Sequence, residues 1–126
     1  MAVSVQTAAT RARRAVLAML QAELIEASTD VGAFYPQPQG VLVGLPTLTG
    51  RGSFTRSFEI PVLVVSGDPL NSEQIVDRLY TLADECALAL ATDNYRPSSW
   101  RSNLNAEPLP AIELTVTVTV TELEEE

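Results

Sequence analysis

The chain has 126 residues and a formal charge of −8, set by 16 acidic side chains against 8 arginines, with no lysine and no histidine. That length fits one domain, and a hydrophobic fraction of 46% is enough to bury one core. The missing lysine and histidine exclude Schiff-base chemistry, the usual phosphate-binding lysine, the usual general base and any histidine-based zinc site, while a lone Cys86 excludes an internal disulfide.

Residues 3–27 predict a first helix, rich in alanine and free of Gly and Pro, with Val16, Leu17, Leu20 and Leu24 at helical spacing. Its basic residues Arg11, Arg13 and Arg14 stand near the positive end of the helix dipole, where they are poorly placed. They read either as a solvated face or as contacts to an acidic neighbouring subunit. No leader segment is expected, because the apolar run Val16 to Leu20 is short and Glu23 and Glu26 follow it. No run approaches the length of a membrane span.

Residues 31–40 are broken by Pro36, Pro38 and Gly40, and Val41 to Leu45 predicts a short strand ended by Pro46. Thr47 to Ser53, with Gly50 and Gly52 around Arg51, predicts a mobile hairpin loop between antiparallel strands. The next strand, Phe54 to Ser66, is apolar on both faces after Phe58, which calls for cover on both sides. Helices would cover one face and a partner the other, meeting Leu63 and Val65. Pro61 lacks a backbone donor and needs an edge or a bulge.

Ser72 caps a second helix running to Ala91, with Ile75, Leu79, Leu82, Cys86 and Leu90 as its apolar stripe. Cys86 reads as a small core residue, since no histidine stands ready to activate it. Tyr95 to Asn103 includes a candidate strand, and Trp100 within it reads as a core anchor or an interface anchor. From Ala111 to Thr121 the alternation is strict, with Ile112, Leu114, Val116, Val118 and Val120 on one side and Glu113, Thr115, Thr117 and Thr119 on the other. The run Glu122 to Glu126 is either a solvated terminus or an electrostatic surface in an assembly.

This order predicts a single α/β domain over 1–126, of the α+β kind: a mostly antiparallel sheet of about four strands with two helices packed on one face. Residues 1–2 and 122–126 are expected as flexible termini and 47–53 as a mobile loop. No phosphate loop, dinucleotide fingerprint or hydrolase signature occurs. Asp68, Asp77 and Asp84 are weak carboxylate candidates for a hard metal, and nothing in their spacing favours one. The expectation is therefore a protein that binds or builds, with no catalytic residues, no cofactor and no metal. The acidic excess should repel DNA in bulk solution, yet an acidic surface could let DNA slide past.

In size, order and style the chain resembles the tail terminator (tail completion) proteins of long-tailed bacteriophages, especially those of actinobacteria. The residues that carry the likeness are the arginine-bearing helix followed by Phe34-Tyr35-Pro36 and Val41-Leu42-Val43, the strand Phe58 to Ser66 leading into the Ser72 to Ala91 helix, and Leu109-Pro110-Ala111 feeding the Thr/Val strand. The resemblance implies a structural virion protein that forms a ring, commonly a hexamer, on the head-proximal end of the tail tube. Such a ring ends tube polymerisation, meets tube protein and head-completion proteins, and lets DNA pass without specific binding. It would be assembled in the host cytoplasm and carried in the virion. Under this reading the interface candidates are Arg11, Arg13, Arg14, Arg51, Trp100, Thr115, Thr117 and Thr119. A head–tail connector or stopper, or a generic oligomeric adaptor, shares the same layout.

Overall fold

The computed structural model describes residues 7–29, 39–67, 73–92, 94–101 and 108–121. In chain order the elements are helix α1 (Ala8–Ala22), strands β1 (Gln39–Val43), β2 (Thr47–Arg51) and β3 (Thr55–Ser66), helix α2 (Glu73–Leu90), and strands β4 (Tyr95–Trp100) and β5 (Leu109–Thr121). All strand pairs are antiparallel, in the order β1-β3-β5-β4, with β2 on the same side of β3 as β1. The α+β architecture is as expected, with five strands where about four were anticipated.

Helix α1 is shorter than its composition suggests. Thr7 caps it, its hydroxyl accepting the Thr10 N–H at 3.2 Å, so the helix opens at Ala8 and not at residue 3. It closes through paired bonds from Leu24 N–H to Gln21 C=O and Ile25 N–H to Leu20 C=O, with Leu24 in the left-handed region at φ 61°. Helix α2 closes in the same way, from Ala91 to Leu88 and Thr92 to Ala87, with Ala91 at φ 55°. Both left-handed positions lack the glycine that such a turn favours.

Alternation along β3 and β5 sorts the core. Phe58, Ile60, Val62 and Val64 of β3 and Ile112, Leu114, Val116 and Val118 of β5 face the helices, where Ala12, Val16, Leu20, Leu79, Ala83, Cys86 and Leu90 close over them. The opposite face divides along its length. At one end Val65, Leu109 and Ala111 are buried and gather Leu63 and Trp100 around them. The expectation that Val65 awaits a partner is thereby corrected, since it is fully buried within its own chain. At the other end Ser57, Glu59, Thr115, Thr117 and Thr119 form a polar surface.

The segment 47–53 is likewise corrected. Thr47–Arg51 is a strand paired to β3, with an irregularity between Leu48 and Gly50, and only residues 52–54 make the turn. Pro61 explains why β1 and β2 are separate strands. Its carbonyl accepts the Gly44 N–H at 2.7 Å, so its missing N–H points to that same side, and the ladder breaks there. Gly44 fits the break because a Cβ on it would stand 2.8 Å from the Pro61 Cγ. Phe34, Tyr35, Pro36, the Ser72 cap, Asn103 and the termini 1–2 and 122–126 lie outside the described residues.

Candidate functional site

The three arginines of α1 separate into different roles. The Arg13 guanidinium donates to three main-chain carbonyls, of Gly44 at 3.0 Å, Val43 at 2.8 Å and Thr29 at 2.5 Å. Ser28 lies against the same place, its N–H bonded to Val41 C=O and its C=O to Val43 N–H. Arg13 thus ties the helix, the segment after it and the outer edge of β1 into one unit. Arg11 reaches the far end of β5, where it donates to Thr121 C=O at 2.6 Å. Arg14 is exposed on the outer side of the helix.

Arg51 is exposed near the tip of the β2–β3 hairpin, directly opposite Arg56, and Arg56 in turn lies opposite Val120 on β5. With Arg11 at Thr121, these arginines share one end of the sheet. Arg56 was missed from sequence because its partnership with Arg51 depends on the hairpin register. The exposed side of α2 has the contrary charge, with Glu73, Asp77, Asp84 and Glu85 against Arg78. Among the described residues, a chain with net negative charge therefore gathers arginines at one end of its sheet and carboxylates on one helix.

The threonines come together as the alternation requires. Thr115, Thr117 and Thr119 share the uncovered face with Ser57 and Glu59, and the Ser57 and Thr119 hydroxyls bond at 2.8 Å. Arg96 and Glu113 form an ion pair at 3.2 Å on this face, weak because the arginine side stands largely in solvent while the glutamate is partly covered. Trp100 stands at the other end, half-buried against the smaller apolar cluster, so the structure does not bring it to the threonines.

Little here is arranged for chemistry. Cys86 is buried, and burial, followed by the charge of Glu85, pushes its thiol up to about 12. The Tyr95 hydroxyl donates to Asp84, and that hydrogen bond, followed by smaller desolvation and charge effects, raises it above its ordinary value. Its ring also packs on Tyr80 with centroids 5.9 Å apart, which fixes β4 to α2. Among the described residues no three His, Cys, Asp or Glu side chains gather as metal ligands, and Asp77 and Asp84 lie apart on the helix surface. Among them, too, no helix is long and apolar enough to cross a membrane. A groove of about 440 Å³ beside α2, β4 and the start of β5 is lined mostly by apolar groups, among them Val76, Leu79, Pro97 and Ile112, together with Tyr80, Ser98 and Ser99.

Several large apolar side chains stand in solvent: Leu24 at 93%, Leu88 at 84%, Leu45 at 73% and Phe54 at 61% exposure. Sequence periodicity misjudged Leu24, which falls on the helical stripe by spacing but occupies the terminating turn. Comparison with protein families and with curated proteins finds no match for the chain.

Proposed function

We propose that this protein is a structural subunit of a bacteriophage tail, forming a closed ring at the head-proximal end of the tube and ending tube polymerisation there. The observation that carries the reading is the separation of charge between the arginine end of the sheet and the acidic face of α2. A subunit whose two contact surfaces differ associates head to tail, and such contacts close into rings when the rotation permits. The net charge of −8 suits a channel that DNA crosses without being held. A non-catalytic role agrees with a chain that has no lysine or histidine and whose single thiol is buried and protonated at neutral pH.

Native mass measurement and negative-stain imaging of the purified protein test the ring. A closed oligomer with a central channel is expected, and a monomer at high protein concentration would overturn the reading. Adding the protein to polymerising tube protein then tests its place. Capped, shortened tubes are expected, whereas unaltered growth would remove the terminator role.

A further inference from the structure

The apolar groove beside α2 has a charged lip. Val76, Leu79 and Tyr80 form its helix side, and Pro97, Leu109 and Ile112 stand on its sheet side. Val76 is 38% exposed there, on a helix that buries Leu79, Ala83 and Cys86. Glu73 and Asp77 lie two turns and one turn before Tyr80, and Asp84 lies one turn after it. All three therefore share the Tyr80 face of α2 and run along the groove. The Tyr95 hydroxyl on Asp84 fixes that lip on the β4 side. At about 440 Å³ the groove has room for an aromatic side chain and part of the turn that bears it.

The β2–β3 hairpin offers the matching shape at the opposite end of the sheet. Its turn, 52–54, is closed by the Gly52 N–H on Thr55 C=O at 3.0 Å, and the Thr49 hydroxyl on Ser57 C=O at 3.3 Å ties the two strands. Phe54 stands at 61% exposure on this turn, next to the exposed Arg51 that ends β2. Among the described residues it is the one exposed aromatic side chain, since Phe58 is buried and Tyr80, Tyr95 and Trp100 are partly covered. The chain cannot seat this tip in its own groove. Thr55 stands opposite Thr121, whereas the groove lies against Ile112, roughly 30 Å back along β5. β3 pairs with β5 over that stretch and holds tip and groove apart.

We infer that the groove receives the hairpin tip of a second copy of this chain, with Phe54 seated among Val76, Tyr80 and Pro97 and Arg51 against Glu73 and Asp77. The inference rests on the ring reading and names the contact that builds it. An aromatic anchor in an apolar pocket, with an arginine beside it, is the kind of group that carries most of the energy of an interface. Opposite charge at the lip sets the orientation. The closed turn is already ordered, so docking costs little further freedom. Tip and groove are different surfaces at opposite ends, so each copy gives one and receives one, and the contact runs head to tail.

Sedimentation and native mass on the full chain test the contact. Phe54→Ala removes the knob, while Val76→Trp and Ser99→Trp each fill the groove from one side. All three positions are exposed, and the melting temperature checks that each variant is folded. Each should weaken self-association at least about tenfold. Phe54→Ala mixed with a groove-filled variant should give a one-to-one dimer and nothing larger, because the first keeps a groove and the second keeps a tip. Arg51→Glu should weaken the contact as well, and adding Asp77→Arg should restore part of it. A wild-type ring that persists in the folded variants overturns the inference and leaves the ring reading standing. Mixed variants that fail to pair at high concentration overturn it too. An open wild-type oligomer that the variants dissolve removes the ring and keeps the tip-to-groove contact. A wild-type monomer at high concentration overturns both.

Discussion

At the residue scale Arg13 decides more than its charge suggests. Hydrogen bonds from a charged donor to partly buried carbonyls are among the stronger ones, and Arg13 makes three that join α1, Thr29 and the end of β1. Arg13→Ala should lower the unfolding free energy by about 2–3 kcal/mol, read by urea denaturation, because it strands these carbonyls together. A loss within ordinary surface scatter would show that water replaces the guanidinium. Leu24 and Ala91 make the opposite prediction. Each holds a left-handed turn that costs a side-chain-bearing residue about 1 kcal/mol or more, and the exposed Leu24 side chain gives up little packing. Leu24→Gly and Ala91→Gly should each stabilise the fold by about 0.5 kcal/mol after the added freedom of the unfolded chain is deducted. A fall in melting temperature for Leu24→Gly would assign the leucine a packing role instead.

At the element scale prolines set the limits of the sheet. Pro61 divides one long edge into β1 and β2, and Pro97 leaves the β4 edge short of a donor. Pro97→Thr restores that donor and a strand-forming side chain, so it should increase self-association, measured by sedimentation over a range of concentrations. An unchanged sedimentation profile would show that the edge is protected by other means. The need of Pro61 for an edge or bulge was legible in the sequence, and so was the Thr/Val strand, because period-two alternation is a local property. Strand β2 was not legible. Its glycines signal a turn, and only pairing with β3 makes Thr47–Arg51 extended. The early end of α1 was hidden as well, since a threonine cap and a left-handed leucine look like ordinary helix positions.

At the scale of the whole molecule the charges of the described residues are polarised. Arginines that sequence places at 11, 51 and 56 meet at one end of the sheet, while α2 presents four carboxylates. If head-to-tail contact uses this polarity, Arg14→Glu with Arg51→Glu should dissociate the ring while leaving the unfolding midpoint nearly unchanged. Arg13 is excluded from that test because its loss would damage the fold itself. An intact ring in the double variant would show that the arginine end is not a subunit contact. Raised salt should loosen the contact in the wild type, since exposed charges are screened beyond about 8–10 Å at physiological ionic strength.

By itself the sequence determined the α+β class, the two helix faces, the alternating final strand and the absence of histidine and lysine chemistry. These follow from periodicity and composition, which act over a few residues or over the whole chain at once. Tertiary structure alone decided that Arg13 serves its own fold, that Val65 is already covered, that Arg56 joins Arg51, and that β5 outruns β4. Each depends on strand register and on the packing of segments distant in sequence, which no local pattern encodes.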